Sequence, residues 1–188
     1  WTDLTEKEKL QKGLIYNPNY DEELQNEIKN AQDLCFEYNN TRPSAINKKM
    51  EILQKLNIKM DKRCTIEQDF WCDYGYNIEL GENFYSNHNL VILDAAKVSI
   101  GNDVFIGPNC SIYTSGHPLN AVERNEGLEY AKPISIGNNV WIGGNVVILP
   151  GVKVGNNVVI GAGSVVTKDI PDNCVAVGNP CKVIKDLQ

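Results

Sequence analysis

A branched aliphatic residue returns at every sixth position through the second half of this chain, and that spacing constrains the fold more than any other feature. Ile100, Ile106 and Ile112 are six apart, and after an interruption the phase resumes at Ile136, Ile142, Ile148, Val154, Ile160 and Val166. Four residues after most of these stands a second small or branched residue: Val104, Cys110, Val140, Val146, Val152, Val158, Ser164 and Ile170. Glycine follows the first set directly at 101, 107, 137, 143, 155 and 161. Neither a helical period of 3.6 nor a strand alternation of two repeats this whole pattern at six. A chain that turns a corner every six residues does.

The pattern predicts a mainly β fold, a parallel β-helix in which each unit is a short strand plus a corner. Branched residues suit the strands and point inward as one apolar column. Gly and Asn fill corners where φ turns positive, as in Gly137-Asn138-Asn139 and Gly155-Asn156-Asn157. Three sides give about eighteen residues per coil. A Val-rich sandwich would not hold one phase through six consecutive units.

A chain of 188 residues suits one domain with a small appendage. Its net charge of −6 argues against nucleic acid as a partner. No run approaches a membrane span and no secretory leader is read from Trp1 onward, so a cytoplasmic protein away from membranes is expected. The six cysteines at 35, 64, 72, 110, 174 and 181 form no C-x-x-C pair and read as free, buried thiols.

Residues 1–63 read as a helical N-terminal cap, and 64–188 as the β-helix with an excursion at 113–133 and a C-terminal tail. In the cap, Thr5 and Glu8 have the spacing of a capping box. A second helix is predicted from Asp21, with Leu24, Ile28, Ala31, Cys35 and Tyr38 as its apolar stripe. Ser44 is placed to cap a third, striped by Ile46, Met50, Leu53 and Leu56. Such a cap would cover the open end of the column. The segment Gly13 to Tyr20 reads as a turn-rich connection.

Two irregularities interrupt the count. Ile92 is twelve after Leu80, but the phase slips by two before Ile100, which predicts a bulged corner within 93–99. The larger break, residues 113–133, lacks inward branched residues and carries His117, one of only two histidines. Long loops in compact domains are usually functional or disordered.

Several segments carry a resemblance. They are Cys72-Asp-Tyr-Gly-Tyr-Asn77, Asn83-Phe-Tyr-Ser-Asn-His-Asn89, Ser115-Gly-His-Pro118, and Pro133 through Trp141-Ile-Gly-Gly144. To these add Gly161-Ala-Gly-Ser-Val-Val-Thr-Lys-Asp-Ile-Pro171 and Gly178-Asn-Pro-Cys-Lys-Val-Ile-Lys185. Across nearly its whole length the chain resembles the maltose/galactoside O-acetyltransferases, a family of hexapeptide-repeat acyltransferases. The resemblance implies a left-handed helix, transfer of acetyl from acetyl-CoA to a sugar hydroxyl, and a homotrimer with sites between subunits.

It also implies roles for particular residues. His117 matches the general base; an imidazole with a pKa of about 6.5 suits the task of taking a hydroxyl proton and returning it to a thiolate. Asn87 matches a position that contacts the substrate or the oxyanion of the transition state. Asn17 and Asp73 match acceptor-contacting positions, and Asp94 lies in the adjacent acidic pair; apart from the resemblance, Glu129 is read as facing the same cleft and orienting His117, as a carboxylate often does. Gly144, Ala162 and Thr167 match coenzyme-contacting positions, and Lys182 with Lys185 the basic pair near the nucleotide phosphates. Trp141 is expected at a subunit contact or in the acyl channel; His88, where the family more often has an apolar or aromatic residue, is read as structural or at the rim.

This chain departs from the galactoside-type members. They carry Asp and Ser where it has Asn17 and Asp73, and a second Asp where Ala95 follows Asp94. The sequence around Cys72 leans toward maltose- and glucose-type relatives. No metal is expected, because zinc enzymes of this fold need three histidines and the chain has two. Two alternatives stay open: a hexapeptide acetyltransferase for another small acceptor such as serine or an antibiotic, and a trimeric scaffold without catalysis.

Overall fold

The computed structural model describes residues 3–188. Three helices open it: α1 (Glu6–Gln11), α2 (Glu22–Asn39) and α3 (Ile46–Lys55). The capping box forms as the sequence predicts, with Glu8 N–H donating to Thr5 Oγ1 at 3.0 Å and Thr5 N–H to Glu8 Oε1 at 3.3 Å. Asp21 caps α2 through Leu24 N–H at 3.0 Å. The expectation for α3 is corrected. Its cap position is Ala45, which makes no side-chain bond, so Ser44 lies one residue too early. Ile46 is 68% exposed, and the buried residues are Ile52, Leu53 and Leu56, because α3 rests on the column through its second half only.

Six coils of parallel β-helix follow, the first and last incomplete, and their strands stack into three faces. Face I carries Ile78–Leu80, Val98–Ile100, Ile134–Ile136 and Lys153–Val154. Face II carries Thr65–Ile66, Tyr85–Ser86, Val104–Ile106, Val140–Ile142, Val158–Ile160 and Cys174–Gly178. Face III carries Phe70–Cys72, Leu90–Leu93, Ser111–Tyr113, Val147–Ile148 and Val165–Val166. Lys59 already pairs with Glu79, so the first rung begins within the last five residues of the segment expected to be helical cap.

Both sets of repeat residues point inward. Ile100, Ile106, Ile112, Ile136, Ile142, Ile148, Val154, Ile160 and Val166 are buried, and so are the eight residues of the second set. Each inward Ile or Val contributes roughly 1.5–3 kcal/mol of transfer free energy. All six cysteines are free and buried.

The corners divide their work between two residue types. Positive φ falls on Asn83, Asn89, Asp103, Asn109, Asn139, Asn145, Asn157 and Asn173, at 54–66°. The preceding glycines instead permit close stacking: a Cβ on Gly137 would lie 2.4 Å from Asn156 Oδ1 and 2.7 Å from the Gly155 carbonyl oxygen. Asparagine tolerates the left-handed region, while only glycine leaves room for the next coil.

Both ends of the column are closed. At the start, Ala31, Cys35 and Tyr38 of α2, Ile52 and Leu53 of α3, and Leu56 just after it join the same apolar core. Cys35 Sγ touches Cys72 Sγ at 3.8 Å, the Tyr38 hydroxyl donates to the Ile66 carbonyl, and Asn39 bonds both the N–H and the carbonyl of Phe70. Those bonds satisfy groups that a first strand otherwise leaves bare. At the far end, Cys181–Asp186 folds back antiparallel on Cys174–Gly178 and ends the parallel stack.

The outward side chains differ from face to face. On face I the ladder runs Lys59, Glu79, Ser99, Ser135, Lys153. On face II it runs Tyr85, Phe105, Trp141, Val159, Val175, with Phe105 49% and Trp141 58% exposed. On face III it runs Trp71, Val91, Ser111, Val147, Val165. One side of the prism is polar and two are largely apolar.

Candidate active site

The corners between faces III and I are the irregular ones. They hold residues 73–77, 94–97 and the excursion 114–133. The expected bulge is Asp94-Ala95-Ala96-Lys97, held by Ala96 N–H donating to Thr114 Oγ1 at 3.0 Å. Asp94 is wholly buried. Its carboxylate accepts from the backbone N–H groups of Asp73 at 3.0 Å, Tyr74 at 2.9 Å, Gly75 at 2.8 Å and Asn77 at 3.3 Å. This corrects its expected role: with both oxygens enclosed, Asp94 shapes the 73–77 turn and has no face for an acceptor.

Asp73 leaves that turn with its carboxylate unbonded among the described residues. Burial, then the Asp94 and Glu129 charges, push its pKa up to about 7. Burial also raises the carboxyl of Asp94, against the pull of the backbone N–H groups around it.

The excursion is a hairpin. Ser115–Gly116 pairs antiparallel with Tyr130–Ala131, and a short helix, α4 (Ala121–Asn125), sits at its tip with Asn120 as cap. Gly116 lets the Tyr130 ring lie over the strand, since a Cβ would lie 2.4 Å from the Tyr130 hydroxyl. His117 is exposed, and its Nδ1 lies 3.0 Å from the Leu128 carbonyl. A carbonyl only accepts, so Nδ1 carries the proton and Nε2 of the neutral ring keeps its lone pair. The expected partner, Glu129, is not the one found: its Oε2 accepts from the Tyr16 hydroxyl at 2.8 Å. Burial and that carboxylate raise the pKa of Tyr16.

Asn17 is corrected too. It is 4% exposed, its Oδ1 accepts from Asn19, and its Nδ2 donates to the Glu126 carbonyl at 2.7 Å. An amide so engaged ties down the excursion, with its oxygen and one N–H used within the chain. The segment Gly13 to Tyr20, read from sequence as mere connection, therefore packs against the loop that carries His117.

The remaining residues lie elsewhere on the prism. Asn87 sits at a corner between faces II and III, with Oδ1 accepting from His88 N–H at 2.7 Å and its NH₂ group without a partner among the described residues. His88 is exposed, and its Nδ1 donates to the Gln68 carbonyl at 2.6 Å. The same corner column continues through Pro108, Gly144 and Ala162, linked by backbone bonds from Asn109 to His88, Asn145 to Pro108 and Gly163 to Gly144, each 2.9 Å. Small residues thus leave its later part open. Thr167 is exposed at the end of a face III strand, and Lys182 and Lys185 are exposed on the terminal strand of face II. Among the described residues no group of three metal-ligating side chains converges.

Comparison with known proteins adds to this geometry. A model of the maltose acetyltransferase hexapeptide capping motif matches residues 9–56, and models of bacterial transferase hexapeptides and of a succinyl-transferase hexapeptide repeat match 133–168 and 97–118. A protein of Saccharomyces cerevisiae named as an acetyltransferase is 53% identical over 96% of this chain and 92% of its own length. The crystal structure of a maltose O-acetyltransferase from Clostridium difficile is 51% identical, with a TM-score of 0.95 over 98% of each chain. This chain belongs to the maltose/galactoside O-acetyltransferase family. It is an acetyltransferase. A galactoside acetyltransferase solved with coenzyme A is a further neighbour, 40% identical, with a TM-score of 0.92 over 99% of this chain and 92% of its own.

Within this acetyltransferase, then, the face III/I edge gathers Asp73, Asp94, Glu129, Tyr16 and the His117 loop. The face II/III edge holds Asn87, Gly144 and Ala162. Sequence reading missed Tyr16 and Leu128. No side-chain motif reports a carbonyl acceptor, and Tyr16 looks like any buried tyrosine until its partner is seen.

Proposed function

We propose that this protein transfers acetyl from acetyl-CoA directly to a hydroxyl of a sugar of the maltose, glucose or galactoside kind, with His117 as general base. The bond from His117 Nδ1 to the Leu128 carbonyl carries the proposal, because it fixes the tautomer that a base requires. Nε2 takes the proton of the sugar hydroxyl as its oxygen attacks the thioester carbonyl carbon. The negative charge that develops on the carbonyl oxygen is met by the unpaired NH₂ of Asn87, whose orientation is set by the bond from His88 N–H to its Oδ1. When the C–S bond breaks, the imidazolium returns its proton to the departing thiolate. No covalent acyl-enzyme is needed.

Asp73 is the acidic group best suited to accept a sugar hydroxyl, since Asp94 and Asn17 are committed within the chain. The coenzyme is assigned to the corner column, where Gly144 and Ala162 let a pantetheine arm approach backbone. Thr167 is assigned beside it, with Lys182 and Lys185 near the phosphates.

The site is proposed to lie between subunits of a homotrimer. Two observations support this. The base and the oxyanion donor stand on different edges of one prism, and two of the three faces present apolar ladders. A closed ring needs two different contact surfaces on each copy.

The experiment is thiol release from acetyl-CoA against glucose, maltose, a thiogalactoside, serine and chloramphenicol, with wild type and His117→Ala. Turnover with sugars that His117→Ala loses is expected. Equal rates for the two proteins would remove His117 as base. Preference for serine or chloramphenicol would reassign the acceptor.

A further inference from the structure

The connection between α1 and α2 crosses the molecule to reach the loop that carries His117. Tyr16 is 1% exposed, and its backbone makes both bonds of an antiparallel bridge to Glu129, at 3.0 and 2.8 Å. Its hydroxyl donates to the Glu129 carboxylate at 2.8 Å. One residue on, Asn17 Nδ2 holds the Glu126 carbonyl at 2.7 Å, while Asn17 N–H is held by Glu6 of α1 at 2.8 Å. Between these anchors Gly127 turns at φ +92°, where a Cβ would lie 2.6 Å from Asn19 Nδ2. Residues 126–129 are therefore clamped on both sides of Leu128.

The rest of the excursion has little to hold it. Leu119 is 95% and Val122 69% exposed, and α4 buries none of its residues. His117 is itself exposed, and among the described residues its ring makes one bond, to the Leu128 carbonyl. Where that carbonyl points decides the ring's tautomer and aim. What fixes it is the strap from the helical cap.

We propose that Tyr16, together with Asn17, is a positioning residue for His117, acting through Glu129 and Glu126 on the Leu128 carbonyl between them. The proposal rests on His117 being the base. It gives the N-terminal cap a catalytic task besides closing the column. A displacement of about 1 Å at a reacting group can cost on the order of a hundredfold in rate, so a loose carbonyl matters. Burial and the neighbouring carboxylate keep the Tyr16 hydroxyl protonated, so the clamp is a constant donor.

Tyr16→Phe tests this, since it keeps the ring and the backbone bridge and removes only the O–H. The turnover number is expected to fall about tenfold or more while the KM for acetyl-CoA stays within twofold. In protein labelled with ¹⁵N-histidine, His117 should show a protonated Nδ1 and a bare Nε2 in the wild type, and a mixture of tautomers in the variant. His88, tied to Gln68 instead, is the internal control and should not change. Asn17→Ala cuts the clamp on the other side of Leu128 and should give the same signature. It also serves if Tyr16→Phe does not fold. Unchanged His117 ring shifts in a folded variant overturn the proposal, whether or not the rate falls. Failure of His117 as base is separate: it appears as activity in His117→Ala, while the ring shifts still report on the strap.

Discussion

The carbonyl of Leu128 accepts the Nδ1 proton of His117 at 3.0 Å, so a backbone group of an apolar residue sets the tautomer of the proposed base. Replacing the imidazole removes the proposed proton acceptor and donor. His117→Ala and His117→Gln are expected to lower the turnover number by roughly 10²–10⁴-fold. Steady-state thiol release, with acetyl-CoA affinity measured by calorimetry, separates loss of chemistry from loss of binding.

Asn87→Ala should cost on the order of 10²–10³ in turnover number if its NH₂ meets the developing oxyanion. Asn87→Asp places a like charge there and should be at least as damaging. The KM for the sugar should move much less than the rate. A variant affecting KM alone would make Asn87 an acceptor contact.

Asp73 gives the fold a pH dependence of unusual sign. Its pKa is about 7 in the folded protein against an ordinary 3.8, so the native state binds its proton more tightly than the unfolded chain. Its contribution to stability therefore falls as pH rises from about 4 to about 7, and is level outside that window. Asp73→Asn should raise the melting temperature, by more at pH 8 than at pH 5. Equal shifts at the two pH values would mean that the carboxylate is better solvated than its surroundings suggest.

Gly137→Ala should destabilise the column although alanine is the better strand residue. Its Cβ would meet Asn156 Oδ1 at 2.4 Å and the Gly155 backbone at 2.7 Å, and forcing methyl groups into packed sites costs about 1–3 kcal/mol. In a chain of 188 residues each kcal/mol corresponds to roughly 2–4 °C of melting temperature. Thermal unfolding of Gly137→Ala against the wild type checks this, and because Gly137 is not at positive φ the loss reports the clash rather than backbone strain.

A ring of three copies should also be visible by mass. Sedimentation equilibrium is expected to give a trimer of the 21.0 kDa chain. Phe105→Lys with Trp141→Lys, both outward on face II, should yield monomers without turnover. A wild-type monomer at micromolar concentration would leave the two half-sites apart.

The column was legible because a buried position must be apolar and the coil returns it at a fixed count: every inward residue read from Ile100 to Ile170 is buried. The slip before Ile100 and the excursion after Ile112 were legible as failures of that count. The roles within them were less so. Asp94 and Asn17 are polar residues beside a candidate site, and nothing in their spacing distinguishes a side chain that faces a ligand from one consumed by its neighbours' N–H and C=O groups. The burial of Asp94 and the four donors around it emerge only once the 73–77 turn is folded. Ser44 failed for a plainer reason: a capping residue one position early looks the same on paper.

A stack of like coils has no built-in length, since each rung offers the next the same edge. Here α2 and α3 close one end, and the reversed strand Cys181–Asp186, with Lys182, Lys185 and Asp186 exposed, closes the other. Parallel pairing cannot continue past a strand that runs the wrong way, and charges along it discourage a second molecule from adding on. The hairpin thus acts as a stop signal that keeps a self-templating architecture from becoming a fibre. A chain cut before Cys181 would keep most of its core and lose that signal, and end-to-end polymerisation is the fault to expect of it.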